Sequence, residues 1–223
     1  MVPACMPATQ EDGPNPRAVD KLVDYAEANP HRIPKIGKYL NLEVTKAKKR
    51  DQQNSIKAVC TVYEALLQAD GVSILSLQPS LLELLQVLLD ASEPQGVQAA
   101  ALRVYVIWMR NIQSGSVSTL SVEQQWLVSR TIKFARHSGS DPVKATALVA
   151  ISQLLHVDDY FSSSPYMEDV VRSILTVYIS DTASASQTDD DGEKKAFVDP
   201  LVAAKLCLHA IAARIKDVVV AKH

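Results

Sequence analysis

The sequence predicts an all-α fold built from consecutive helical repeats. Apolar residues recur at helical spacing through most of the chain, as at Val19, Leu22, Val23 and Ala26. Only seven of the 223 residues are glycine, which disfavours an all-β fold with many tight turns. The third observation is a recurring helix start, in which an acidic residue and a proline precede an Ala-rich apolar segment.

That helix start occurs three times, at Glu93-Pro94, Asp141-Pro142 and Asp199-Pro200. The acid caps the helix and complements its dipole, and proline suits the first turn. Amphipathic segments lie between these starts, so helices alternate with loops at a spacing near the roughly 40 to 47 residues of HEAT and armadillo repeats. We therefore expect an armadillo/HEAT-like α-solenoid of about 8–9 helices.

The domain boundaries follow from composition. Residues 1–15 contain several prolines and lack periodicity, so they are predicted to be an irregular lead-in. Residues 16–223 are predicted to form one helical repeat domain. Within it, residues 182–196 are rich in Ser, Thr and Asp and lack core-forming side chains, which predicts a disordered loop.

Asparagine and proline residues mark the expected helix ends. Asn15 and Pro16 begin the first long helix, and Asn29-Pro30 ends it. The following helix has an apolar stripe that includes Tyr39, so we expect that ring to pack inside. Residues 76–80 are predicted to be a loop, with the next helix beginning near Pro79.

The charge is unevenly distributed. The net charge is −2, but residues 31–57 contain eight Lys/Arg and two acids. The basic run fits either a solvated helix end or a surface for an acidic membrane. Nucleic acid is disfavoured as the anionic partner, because aromatic residues are not interleaved with the charges and the whole chain is acidic.

No pattern points to catalysis, to a cofactor or to a metal. The chain lacks a Gly-rich phosphate loop, a Gly-x-Ser-x-Gly motif and metal-ligand spacing. His156 beside Asp158 and Asp159 is the weak candidate for an enzyme site, with a helix-end role as the favoured interpretation. Trp108 and Trp126 are expected to pack in the core or between repeats. An odd set of three distant cysteines indicates a reducing compartment.

The N-terminal third resembles the Eighty-five Requiring family, which includes the fly protein rolling blackout and plant relatives. The matching segments are Gln10-Glu11-Asp12-Gly13-Pro14-Asn15, Lys21-Leu22-Val23-Asp24-Tyr25-Ala26 and Arg32-Ile33-Pro34-Lys35-Ile36-Gly37-Lys38-Tyr39-Leu40. Ser55 to Cys60 and Tyr63 to Leu67 extend the likeness. Beyond about residue 70, the resemblance consists only of helical-repeat character.

The resemblance implies a non-catalytic scaffold at the cytosolic face of the plasma membrane. Family members look like the anchor that recruits a phosphatidylinositol 4-kinase complex through its scaffold proteins, and they bind acidic phospholipid through a basic patch. The basic residues here that lie near enough to such a patch to be candidates are Arg32, Lys35, Lys38, Lys46, Lys48, Lys49 and Arg50.

Two expectations remain open beside this one. The family usually begins with a palmitoylated cysteine cluster, and here only Cys5 precedes the matching segments, so Cys5 is a weak candidate for lipidation and a cytoplasmic location is expected if the anchor is absent. The alternative function is a soluble α-solenoid adaptor that binds a protein partner and has no affinity for lipid.

Overall fold

The computed structural model describes residues 2–7, 13–113, 122–155, 167–185 and 199–220, and every regular element in these residues is helical. The helices are α1 Val2–Cys5, α2 Pro16–Ala28, α3 Ile33–Lys49, α4 Gln53–Gln68, α5 Ile74–Leu88, α6 Gln95–Gln113, α7 Val122–His137, α8 Asp141–Leu154, α9 Met167–Ala185 and α10 Pro200–Val220. A 3₁₀ turn, Pro30–Arg32, precedes α3. The predicted all-α class is confirmed.

The chain divides into two compact units, Met1–Asn111 and Ile112–His223. In the first unit α3 packs against both α4 and α5, while α2 packs against α4 and α1 contacts α2 and α3. Leu40, Leu66, Leu81 and Leu85 are buried at these contacts and form the centre of the core. The core of the first unit therefore fixes one face of α3.

The second unit is arranged around α8. That helix packs against α7 and α10, and α9 packs against α7 and α10. Ala147 and Ala150 on α8 and Ala203 and Ala204 on α10 are buried, which allows the two helices to approach closely. Two of the three Ala-rich helices predicted from the sequence are thus core elements of this unit.

Local capping explains several helix starts. The Asn15 side chain accepts a hydrogen bond from the Ala18 backbone N–H at the start of α2. At α10, the Leu201 backbone N–H donates to the Asp199 carboxylate at 2.9 Å. The predicted use of Asn15 and Asp199 as caps is confirmed.

The prediction of a loop at residues 76–80 was wrong. Helix α5 begins at Ile74 with Ser73 as its cap and contains Pro79 in its interior. A proline there removes one backbone hydrogen bond. Burial outweighs this loss, because five leucines of α5 lie in the core: Leu77, Leu81, Leu84, Leu85 and Leu88.

The two aromatic residues Tyr39 and Trp126 lie outside the core, and packing of Trp126 between repeats stays a prediction. Tyr39 is 48% exposed and Trp126 is 39% exposed, whereas Trp108 is completely buried. The predicted loop at 182–196 lies outside the described residues from residue 186 onward, and its first four residues belong to α9. Within the predicted lead-in, Val2–Cys5 forms the short helix α1.

Candidate functional site

Helix α3 and its two ends carry all seven cationic residues of the predicted patch. Its buried side consists of apolar residues at helical spacing, including Ile33, Ile36, Leu40 and Val44. Since α4 and α5 cover this side, the lysines must lie on the remaining surface. The exposed cations are Arg32, Lys35, Lys38, Lys46, Lys48, Lys49 and Arg50.

A polar network crosses the buried side of α3 and holds the helix against its two neighbours. The Tyr63 hydroxyl on α4 donates a hydrogen bond to Asn41 Oδ1 at 2.9 Å, and Gly37 O lies 3.2 Å from the same hydroxyl. The Asn41 amide in turn donates to Ser80 O at 2.8 Å and to Glu83 Oε2 at 2.9 Å. Three helices are thereby joined through one amide side chain.

The close approach of α3 to α5 at Gly37 also holds α3 in place. A Cβ atom placed on Gly37 would lie 2.6 Å from Ser80 Cβ and 2.7 Å from Ser80 Oγ. No larger residue at position 37 fits without moving α3 away from α5. Gly37 therefore sets the distance between the helix that carries the cations and the core beneath it.

The cations form two groups rather than one cluster. Arg32, Lys35 and Lys38 lie at the N-terminal end of α3, and the other four lie at its C-terminal end. Lys38 and Lys46 are eight residues apart, or about 12 Å along the helix axis. The predicted patch is therefore an elongated surface along a single helix.

Helical register places most of these lysines on one side. At about 100° per residue, Lys35, Lys38, Lys46 and Lys49 fall within a sector of about 100°. Tyr39 and Leu42 lie in the same sector and are 48% and 47% exposed. We call the six residues Lys35, Lys38, Tyr39, Leu42, Lys46 and Lys49 the outer face of α3.

Two of the cations have carboxylate partners. Lys48 points away from the outer face and forms an ion pair with Glu93, the residue two positions before α6. Lys46 pairs with Glu43 at 2.7 Å on its own helix. Arg32, Lys38, Lys49 and Arg50 form no ion pair with any carboxylate in the part of the chain that the structure describes. Their charges are available to an anionic partner.

The C-terminal end of α3 is a Schellman motif. The Gln52 N–H donates to Ala47 O at 2.9 Å and the Asp51 N–H to Lys48 O at 3.2 Å, which satisfies two terminal carbonyls. Asp51 adopts a φ of 53°, the left-handed region that usually holds glycine. This tight end fixes where the terminal cations, Lys49 and Arg50, leave the helix.

A groove of about 500 Å³ adjoins the N-terminal cations. Its walls come from α1, α2 and α3, and Arg32 and Lys35 contribute its positive charge. The lining residues are Val2, Pro3, Leu22, Tyr25, Arg32, Lys35, Ile36 and Tyr39. Sequence reasoning missed this groove, because it depends on α1 packing against helices that are distant in sequence.

Cys5, the candidate for lipidation, is completely buried. Its thiol donates a hydrogen bond to Ala18 O, and burial raises its pKa above the usual value for a thiol. An acyl group could reach this sulfur only after α1 moved away from α2. Lipidation of Cys5 stays a prediction.

The second unit presents a separate apolar surface on α9. A shallow groove of about 530 Å³ is lined by Glu168, Val171, Arg172, Leu175, Thr176 and Ile179. Leu175 is 42% exposed and Ile179 is 64% exposed. On α10, Val202 and Leu206 are also about half exposed, at 49% and 52%. Four exposed aliphatic side chains on one unit are typical of a surface that contacts another protein.

The weak enzyme candidates lie outside the described residues, since His156, Asp158 and Asp159 all fall between α8 and α9. Across residues 2–7, 13–113, 122–155, 167–185 and 199–220, no three His, Cys, Asp or Glu side chains are grouped as metal ligands would be. None of the helices in these ranges is both long and apolar enough to cross a membrane.

Helices packed in two units, with no other regular element in the described residues, are typical of an armadillo-type helical repeat domain. The family model described as "EFR3, armadillo repeat" matches residues 19–213. The chain belongs to this EFR3 armadillo-repeat family, which confirms the resemblance seen in the N-terminal segments.

A curated relative is "Protein SEMI-ROLLED LEAF 2" of Oryza sativa subsp. japonica. It is 26% identical to this chain over 210 residues, which cover 88% of the chain and 20% of the relative. The chain thus spans one fifth of that protein's length. No solved structure matches the chain.

Proposed function

We propose that the chain is a non-catalytic scaffold of the EFR3 type whose basic helix α3 contacts an acidic phospholipid membrane. The observation that carries the proposal is the set of seven exposed cations on α3 and its ends. Each Lys or Arg near an acidic leaflet contributes on the order of 1 kcal/mol. Membership of the family is consistent with a peripheral association at the cytosolic face of the plasma membrane.

The ion pairs refine which cations matter. Glu93 neutralises Lys48, and the register of α3 directs that side chain away from the outer face. Lys46 stays on the outer face, because its pair with Glu43 is exposed and such pairs contribute little. We therefore assign the main membrane contact to Lys35, Lys38, Lys46 and Lys49, with Arg32 and Arg50 contributing at the two ends. Reversal of the four lysines to glutamate reduces binding to acidic vesicles by more than about a hundredfold.

The test is cosedimentation of the purified chain with vesicles of neutral lipid and with vesicles containing phosphatidylserine or a phosphoinositide, at low and at physiological salt. We expect salt-sensitive binding to the acidic vesicles alone. Lys133→Glu on α7, also exposed, is the matched control for the single reversal Lys38→Glu and should bind nearly as wild type. Unchanged binding by Lys35→Glu/Lys38→Glu/Lys46→Glu/Lys49→Glu contradicts the assignment.

In this proposal the chain acts by recruitment. Family members are similar to the anchor of a phosphatidylinositol 4-kinase complex, so the protein partner would be a scaffold subunit of that complex. Recruitment is tested by adding such a subunit to vesicles coated with the chain and measuring its sedimentation. Retention that depends on the coating supports recruitment, and its absence removes the kinase complex from the proposal.

A second candidate function is a protein adaptor without affinity for lipid. The exposed apolar side chains of the second unit favour it, above all Leu175 and Ile179 on α9. An adaptor would keep partner binding after the four lysines are reversed and lose it in Leu175→Asp. A membrane scaffold would lose vesicle binding when the four lysines are reversed and keep it in Leu175→Asp. The two variants therefore distinguish the two functions.

A further inference from the structure

The outer face of α3 contains two large side chains that electrostatics alone does not explain. Tyr39 is 48% exposed and Leu42 is 47% exposed, whereas Ile36, Leu40 and Val44 on the buried side are at most 6% exposed. Tyr39 and Leu42 occupy positions i and i+3, so they are neighbours on the helix surface. Together they form a small apolar area at the centre of a cationic helix.

The lysines are placed around this area in a regular way. Lys38 and Lys46 lie four residues before and after Leu42, about 6 Å along the axis in each direction. Lys35 reaches over the Tyr39 ring, with its ammonium 5.8 Å from the ring centre. Apolar side chains in the middle with cations on both sides match the interface of an acidic bilayer, where the lysine stems extend toward the phosphates.

The chemistry favours a bilayer over a protein as the occupant. Protein interfaces are depleted of lysine at their centre, and here four lysines surround the two apolar side chains. Tyrosine has an apolar ring and a polar hydroxyl, and it is enriched where a membrane meets water. Both features are properties of a surface that lies on lipid headgroups.

We infer that Tyr39 and Leu42 enter the interfacial layer of an acidic bilayer while Lys35, Lys38, Lys46 and Lys49 remain at the level of the phosphates. This inference rests on the proposed membrane contact and adds a second, apolar part to it. The apolar part resists salt, because burial of hydrocarbon is not screened by ions. Vesicle binding therefore keeps a residual component at high salt that depends on Leu42.

The test places an environment-sensitive fluorophore at position 42. Leu42→Cys is labelled with a nitrobenzoxadiazole dye and mixed with vesicles containing phosphatidylserine. The native cysteines Cys5, Cys60 and Cys207 are buried, so the wild-type chain carried through the same labelling measures their background. Leu75 on α5 is 69% exposed, and Leu75→Cys provides the matched control in the same unit.

We expect the emission of the dye to shift to the blue and to gain intensity at position 42 and to stay unchanged at position 75. In unlabelled chains, Leu42→Ala weakens vesicle binding about fivefold at physiological salt, whereas Leu75→Ala has little effect. The residual binding at high salt falls by a similar factor in Leu42→Ala and remains in Leu75→Ala.

The outcomes separate the two proposals. If wild type binds acidic vesicles but the dye at position 42 remains in water and Leu42→Ala binds normally, the insertion is wrong and the electrostatic contact stands. If wild type fails to bind acidic vesicles even at low salt, both proposals are wrong. If Leu42→Ala binds vesicles normally but loses binding to a protein partner, the outer face is a protein interface instead.

Discussion

The Tyr63 hydroxyl donates a hydrogen bond of 2.9 Å to Asn41 Oδ1, and this bond connects α4 with the inner side of α3. Burial raises the pKa of Tyr63 above its ordinary value, so the phenol stays protonated and keeps donating over the physiological range. Asn41 passes the connection on to α5 through Ser80 O and Glu83. The orientation of the cationic helix therefore depends on a polar network in the core.

Tyr63→Phe removes the donor and leaves Asn41 Oδ1 without it. We expect the free energy of unfolding of the first unit to fall by about 1–2 kcal/mol. Urea denaturation followed by Trp108 fluorescence measures this, in a Trp126→Phe background that leaves the buried Trp108 as the single tryptophan. Tyr25→Phe, at a partly buried tyrosine outside the network, is the control, and an equal loss in both variants contradicts the assignment.

Gly37→Ala forces a methyl group against Ser80. We expect a loss of about 2 kcal/mol in the unfolding free energy, because the methyl group overpacks the contact between α3 and the Ser80 side chain. Ser80→Gly removes the Cβ atom that the methyl would strike. Gly37→Ala should then cost little when introduced into the Ser80→Gly background, and the same cost in both backgrounds would show that some other contact excludes alanine.

Local patterns were sufficient to predict α3 and its cations. The apolar spacing of Ile36, Leu40 and Val44 and the charge of the lysines are both properties of short segments. The orientation of Tyr39 was not predictable in this way. It lies at the edge of the apolar stripe, about 100° from its centre, where burial depends on whether another helix covers the position.

The partners of the cations also required the three-dimensional structure. Lys48 and Glu93 are 45 residues apart in sequence, and Asn41 and Glu83 are 42 apart. No short-range signal indicates that Glu93 neutralises Lys48 while the neighbouring Lys49 has no such partner. The sequence predicts that a basic surface exists, but tertiary packing decides which of its residues remain available.

Asp51→Gly should stabilise the first unit. Asp51 occupies the left-handed region with a φ of 53°. This conformation is unfavourable for a residue with a Cβ atom, and glycine adopts it without that penalty. We expect a gain of about 0.5–1 kcal/mol in unfolding free energy, measured by urea denaturation as above. Asp51→Ala, which lacks both the glycine freedom and the short polar side chain, should destabilise. A loss of stability in Asp51→Gly would mean that the Asp51 carboxylate makes a stabilising contact.

Cys60 makes the stability of the first unit depend on alkaline pH. Burial raises the pKa of this thiol from 9.0 to about 12. Below pH 9 the thiol is protonated in both the folded and the unfolded chain, so the stabilising preference for the neutral form is fully present. Between pH 9 and 12 the unfolded chain releases the proton first, and the free energy of unfolding falls by about 1.4 kcal/mol per pH unit.

Urea denaturation at pH 7, 9 and 10.5, followed by Trp108 in the Trp126→Phe background, measures this slope. Cys60→Ala should have a flatter profile above pH 9, although a smaller slope remains because the raised pKa values of Cys5 and Tyr63 act in the same direction. Cys207, whose pKa burial raises to about 12, lies in the second unit, so Cys207→Ala is the control and should leave the Trp108 profile unchanged. Identical profiles for wild type and Cys60→Ala would show that the buried thiol titrates near its ordinary value.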